Sequence, residues 1–130
     1  MKVYTYGVFD LFHVGHSRLL NEAKSLGDYL IVGVFTDEVA ESFKRKPIIP
    51  FKEWMEIVGN HKAVDQVVIQ DEFSPLMNLA IYQPDILCKA EGAGWTATGH
   101  PDFFQWNHKA VILPYHEGVS TSEIIKRICS

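Results

Sequence analysis

The chain predicts an α/β fold, a three-layer sandwich in which helices cover both faces of a five-stranded parallel sheet. Short apolar runs alternate with segments of helical period along the sequence, the pattern of strands joined by crossover helices. The first apolar run, an amphipathic stretch and a second apolar run follow directly on one another, which is a βαβ unit. With 130 residues and 47% hydrophobic content, the chain can bury one core and is expected to form one domain, residues 1–130. The sheet is expected in the Rossmann-like order 3-2-1-4-5.

Strands are expected at residues 2–8, 29–35, 66–69, 85–88 and 110–113. Between the first two, a helix over 15–26 places Leu19, Leu20, Ala23 and Leu26 at helical spacing and ends at Gly27, a favourable C-cap. Further helices are expected at 37–42, 51–60 and 74–82, with Pro84 stopping the last of these. The final helix is expected after Ser120-Thr121-Ser122-Glu123, where a hydroxyl N-cap precedes Ile124, Ile125 and Ile128. In open parallel sheets, ligands bind beyond the carboxyl ends of the strands, where the chain order reverses. The loop after the first strand falls at that edge.

A formal net charge of −4 speaks against nucleic acid as a partner, whose readers usually carry a basic face. Any anion must be held locally. Cys88 and Cys129 are two and far apart, without metal-finger spacing, so both are expected as buried thiols in a reducing, cytoplasmic setting. The chain opens directly on a strand-like alternation, and no apolar run approaches the ~20 residues that cross a bilayer. Neither signal peptide nor membrane span is expected.

The most informative stretch is Asp10-Leu11-Phe12-His13-Val14-Gly15-His16-Ser17-Arg18, where a strand gives way to a helix. One helical turn brings positions three apart onto the same face, so His13 and His16 can aim at one point. The helix start adds unpaired N–H groups and a partial positive charge, a natural phosphate site. Gly15 inside the first turn costs stability and is best explained by close approach to the backbone. A helix-capping histidine beside a satisfied surface one is the plainer alternative. A zinc pair is the weaker idea, because zinc wants a third protein ligand and none is well spaced nearby.

Lys44-Arg45-Lys46, followed by Pro47 and Pro50, is a basic knot in an acidic chain. Such runs are often solvated surface, yet after the second strand Lys44 and Lys46 can reach the same sheet edge and neutralise a triphosphate and a second phosphorylated substrate. Glu117-Gly118-Val119-Ser120-Thr121-Ser122 is a second helix entry whose hydroxyls can cap the helix and bind phosphate at once. Asp10 and Asp37 follow strand ends and could each cap a helix, orient a histidine or ligate Mg²⁺.

These motifs, together with Tyr6-Gly7-Val8-Phe9, Gly27-Asp28-Tyr29-Leu30-Ile31-Val32-Gly33-Val34, Thr36-Asp37-Glu38, Lys46-Pro47-Ile48-Ile49-Pro50-Phe51 and Val64-Asp65-Gln66-Val67, resemble the cytidylyltransferase superfamily over nearly the whole chain. The C-terminal motif is similar to that of the glycerol-3-phosphate cytidylyltransferases. The resemblance implies that a substrate phosphate oxygen attacks the α-phosphorus of CTP or another nucleoside triphosphate and that pyrophosphate leaves. It implies His13, His16 and Lys44 as catalytic residues. The nucleotide would meet Gly7, Val8, Phe9, Asp10, Gly15, Lys46, His116, Gly118, Ser120 and Thr121. The phosphorylated acceptor would meet Asp37, Lys44, Lys46 and Trp95. Mg²⁺ would bridge the phosphates, the protein would be a homodimer, and its product would serve cell-envelope polysaccharide.

The chain departs from this pattern in three places. Tyr115-His116 stands where Arg-Thr is usual, so His116 replaces a guanidinium only in part. Trp54 stands where arginine is common. A longer glycine-rich segment, residues 89–100, replaces a short Gly-Asp-Asp-Trp-like stretch, and loops at that edge choose the substrate. Phe103, Phe104 and Trp106 are expected at an interface or lid. The first expectation is therefore CMP transfer to a small phosphorylated alcohol. ATP with a sugar 1-phosphate such as a heptose, and a non-catalytic nucleotide-binding module, are the alternatives.

Overall fold

The computed structural model describes residues 1–90, 109–113 and 120–130. Its elements run β1 (Lys2–Gly7), α1 (Val14–Ser25), β2 (Tyr29–Phe35), α2 (Asp37–Phe43), α3 (Phe51–Gly59), β3 (Gln66–Gln70), α4 (Leu76–Tyr82), β4 (Ile86–Ala90), β5 (Lys109–Leu113) and α5 (Thr121–Cys129). The strands form one sheet in the order β3-β2-β1-β4-β5, every neighbouring pair parallel. This is the fold class and strand order expected from the sequence. The chain moves outward from β1 to β3, then returns to lay β4 on the other side of β1, so the order reverses beside β1. A crevice at that reversal is where such sheets bind ligands.

Parallel strands are buried on both faces, which is why β1 and β2 read as nearly continuous apolar runs. Val3, Tyr4, Leu30, Ile31, Val32 and Val34 are at most 1% exposed and form the centre of the core. Tyr4 carries a hydroxyl into that interior and finds partners for it. It donates to Gln70 Oε1 (2.5 Å) and accepts from Asn78 Nδ2 (3.0 Å), tying β1 to the end of β3 and to α4. Gln70 passes its amide protons to the carbonyls of Glu72 and Phe73, so the polar cluster is satisfied. Gly33 makes room for this. A Cβ there would overlap Tyr4 Oη and lie 2.8 Å from Tyr4 Cζ and 3.1 Å from Gln70 Oε1.

The element edges differ from the sequence-based ones where backbone capping, rather than periodicity, sets them. Helix α1 begins at Val14, not Gly15, because His13 serves as its N-cap. Helix α4 begins at Leu76, since Ser74 accepts the Leu76 N–H (3.3 Å) and Pro75 takes the cap position. It closes on Gln83, which adopts φ 47° just before Pro84. Helix α5 starts at Thr121, inside the hydroxyl cluster expected to precede it, because Ser120 Oγ already caps the Glu123 N–H (3.0 Å). The cysteines also divide. Cys88 is buried, and burial pushes its thiol up to about 12, whereas Cys129 is exposed as the last residue of α5. Among the described residues no helix is long and apolar enough to cross a membrane.

Candidate active site

The loop from Val8 to His13 leaves the carboxyl end of β1 and enters α1. Leu11 turns it with φ 52°, a left-handed conformation that a leucine seldom adopts and that the surrounding contacts must hold in place. Phe9, 1% exposed, anchors it from below against Trp54 and the ring of His16.

His13 and His16 form a reciprocal cap. His13 Nδ1 accepts the Gly15 N–H (3.0 Å), and His16 Nδ1 accepts the His13 N–H (3.2 Å). The rings stack with centroids 3.9 Å apart. Accepting a backbone proton requires a bare Nδ1, so each neutral ring carries its proton on Nε2. Protonating Nδ1 would set N–H against N–H and break the cap. The electrostatics agree. Burial pulls His16 down to about 3, His13 and Lys44 lower it further, and a hydrogen bond to the Val8 backbone acts the other way. His13 is lowered by burial as well. The plainer reading holds for His13, which caps the helix, but His16 is half-buried and no surface histidine, and the cap they share also fixes their tautomers and stacks their rings.

Lys44, the C-cap of α2, lies near enough to His16 for its charge to depress the imidazole. Its own ammonium is lowered by desolvation and then by Arg45, although the side chain remains open to solvent. Lys46 is exposed two residues on. Arg45, given no part of its own in the sequence reading, donates to Ser122 Oγ (3.0 Å) and so joins the basic loop to the start of α5. Only its place in the basic knot signals this. Thr121 Oγ1 donates to the Asp10 carbonyl (2.8 Å), bringing the start of α5 against the end of β1. Ser120 Oγ accepts from the Glu123 N–H.

The structure therefore collects Gly7, Val8, Phe9, Asp10, His13, Gly15, His16, Lys44, Ser120 and Thr121 around the carboxyl edge of β1. The two aspartates hold the segment that follows the basic loop. Asp10 gives both carboxylate oxygens to the N–H groups of Ile48 and Ile49, and Asp37, first residue of α2, accepts from Phe51 N–H. Trp54, at the position where arginine is common, is wholly buried and offers the site no charge. His61 was not anticipated. Its Nε2 meets Ser17 Oγ at 2.8 Å while its Nδ1 accepts from Ala63 N–H, which makes the ring the donor and leaves Ser17 without a base. Among the described residues no group of three or more His, Cys, Asp or Glu is arranged to hold a metal ion. Trp95, His116, Gly118, Tyr115 and the aromatics Phe103, Phe104 and Trp106 lie outside the described residues.

A family model described as cytidylyltransferase-like matches residues 4–127. A glycerol-3-phosphate cytidylyltransferase from Bacillus spizizenii is 36% identical over 129 residues, covering 99% of this chain and 98% of that protein. The bifunctional protein HldE of Koribacter versatilis is 36% identical over 128 residues, and that of Helicobacter pylori strain P12 is 35% identical over 129. These matches cover 96% and 97% of this chain but 26% and 27% of the HldE proteins, so the chain spans about a quarter of their length. The crystal structure of a lipopolysaccharide core biosynthesis protein from Thermoplasma volcanium superposes with a TM-score of 0.78 at 26% identity, over 89% of this chain and 96% of that one.

Proposed function

This chain belongs to the cytidylyltransferase-like family, a family of nucleotidyltransferases, and on that premise we propose that it transfers CMP from CTP to a small phosphorylated alcohol, glycerol 3-phosphate first, with release of pyrophosphate. The observation that carries the proposal is the stacked, mutually capping pair His13 and His16 at the start of α1 with Lys44 beside it. That arrangement is made for phosphate oxygens.

The acceptor's phosphate is already an anion and needs no protein nucleophile. One of its oxygens attacks the α-phosphorus, the bond from that phosphorus to the α–β bridging oxygen breaks, and pyrophosphate departs with the electron pair. The protein's part is positioning and charge stabilisation. With His16 held near 3, the imidazoles meet the triphosphate neutral, not as proton reservoirs: His13 donates its Nε2–H, and His16 exchanges the bond it makes to the Val8 backbone for one to a phosphate oxygen. The negative charge of the phosphate oxygens strengthens the hydrogen bonds that these neutral donors make. Lys44 and Lys46 supply full positive charge for both substrates, and the start of α5 contributes the Ser120 hydroxyl and its free N–H groups to the far end of the triphosphate. Mg²⁺ enters with the triphosphate as part of the substrate and offsets its charge, in keeping with its preference for phosphate oxygens and water over protein cages. His116 and Gly118 at the nucleotide and Trp95 at the acceptor complete the proposal, as does a homodimer.

A second reading keeps the reaction and changes the partners to ATP and a sugar 1-phosphate such as a heptose. It is favoured by the HldE relatives and by the lipopolysaccharide core protein of the same fold. A pyrophosphate-release screen crossing four nucleoside triphosphates with alcohol and sugar phosphates decides between them. Release with CTP and glycerol 3-phosphate supports the first, release with ATP and a sugar 1-phosphate the second. Nucleotide binding without release from any pair would make the chain a binding module.

A further inference from the structure

We infer that Asp10, Asp37 and Trp54 are positioning residues that hold the basic loop as a preformed clamp, so that Lys44 and Lys46 meet a phosphorylated substrate without a mobile loop having to order first. This rests on the nucleotidyl-transfer reading of the site. The segment Pro47-Ile48-Ile49-Pro50-Phe51 has three backbone N–H groups, because its two prolines have none. All three are taken by carboxylates. Asp10 accepts Ile48 and Ile49 at 2.8 Å each, and Asp37 accepts Phe51 at 3.0 Å. Trp54 reaches back from the first turn of α3 to donate Nε1–H to the Ile49 carbonyl (2.8 Å), and its buried ring packs against Phe9 and Phe51.

Surface loops ordinarily leave such N–H groups to water and stay mobile. Here the loop is gripped from the end of β1, from α2 and from α3 at once. Asp10 is 2% exposed, and a carboxylate so buried is tolerable when charge-assisted bonds satisfy both oxygens. Each oxygen thereby gains a strong donor, and the carboxylate is oriented toward the loop. The prolines narrow the unfolded alternatives, and Arg45 secures the lysine end of the loop to Ser122. A clamp already in place saves the ordering entropy that binding would otherwise cost.

Two measurements on the full chain test this. In the first, the ligand-free protein is digested with trypsin after Lys44 and Arg45. Asp10→Asn, which turns an amide N–H₂ toward a backbone N–H, is expected to speed cleavage there about 10-fold or more while circular dichroism stays native. Trp54→Phe, which loses only the indole donor, gives a second variant should Asp10→Asn fail to fold. In the second, kcat/KM for pyrophosphate release is compared across a double-mutant cycle. Asp10→Asn is expected to cost about 10²-fold in the native background and under about 3-fold in Lys44→Ala/Lys46→Ala, since no lysines remain to be placed. Equal costs in both backgrounds, or unchanged cleavage in both variants, would overturn the clamp. Absence of release from every protein would overturn the transfer reading instead, and the digestion alone would then decide the clamp.

Discussion

Acidification should destabilise this protein through His16 in a way that one substitution can isolate. In the folded chain the imidazole is held at about 3, chiefly by burial, and its Nδ1 is occupied as an acceptor. In the unfolded chain it returns to about 6.5. A folded pKa below the unfolded one gives stability that is fully present above pH 6.5 and is lost as pH falls toward 3, because only the unfolded state takes up the proton. Each pH unit in that window costs up to ~1.4 kcal/mol, so moving from pH 6.5 to 4.5 costs up to ~2.7 kcal/mol from this residue alone. His16→Gln is the control. Glutamine at the third helical position can still accept the His13 N–H as in an ordinary capping box, yet it does not titrate. Urea unfolding followed by tryptophan fluorescence, at half-unit intervals from pH 7.5 to 4.5, yields ΔG for both proteins. The native chain should lose stability more steeply, with the curves separating below pH 6.5. Parallel curves would refute the assignment of a buried, neutral, capping imidazole.

Three further outcomes follow from the same geometry. His13→Ala should cut turnover by two orders of magnitude or more, in line with the ~2.7–4 kcal/mol of a lost transition-state donor, as measured by steady-state pyrophosphate release; a near-normal kcat would count against it. Lys44→Ala and Lys46→Ala should chiefly raise KM for a phosphate-bearing substrate, and an unchanged KM for both substrates would remove their role. Gly33→Ala should destabilise the chain by about 1–3 kcal/mol or more, because its Cβ would press on Tyr4, which Gln70 and Asn78 hold in place. Thermal unfolding tests this, and an unchanged midpoint would show that the Tyr4 cluster yields freely.

The parallel direction of the strands was legible because burial on both faces writes long apolar runs such as residues 29–35, and because crossover helices separate them, whereas the order 3-2-1-4-5 came with the Rossmann-like fold class. The histidine pair was legible from its three-residue spacing at a helix start, but His13 lies outside the helix as its N-cap, and it is the reciprocal cap that brings the rings together. What the sequence does not display is the set of contacts made to backbone. Asp10 meets the N–H groups of residues 48 and 49, nearly forty positions away, and no side-chain pattern at Ile48 or Ile49 marks them as partners. The same holds for Asp37 with Phe51 and for Trp54 with Ile49. Trp54 reads in sequence as a missing arginine, and its indole proves to be the floor of the loop that carries the lysines. Helix starts were misplaced where a cap overrode the apolar period, at His13 and Ser120.

The central claim is that a substrate phosphate, and no group of the protein, attacks the α-phosphorus held by His13 and His16. The direct test is ³¹P nuclear magnetic resonance of the protein with Mg²⁺, CTP or ATP, and glycerol 3-phosphate or a sugar 1-phosphate. The account predicts a pair of coupled diphosphate resonances from a nucleotide-linked product, growing in step with pyrophosphate. Accumulation of inorganic phosphate or of nucleoside monophosphate, with no coupled pair from any acceptor, would contradict it.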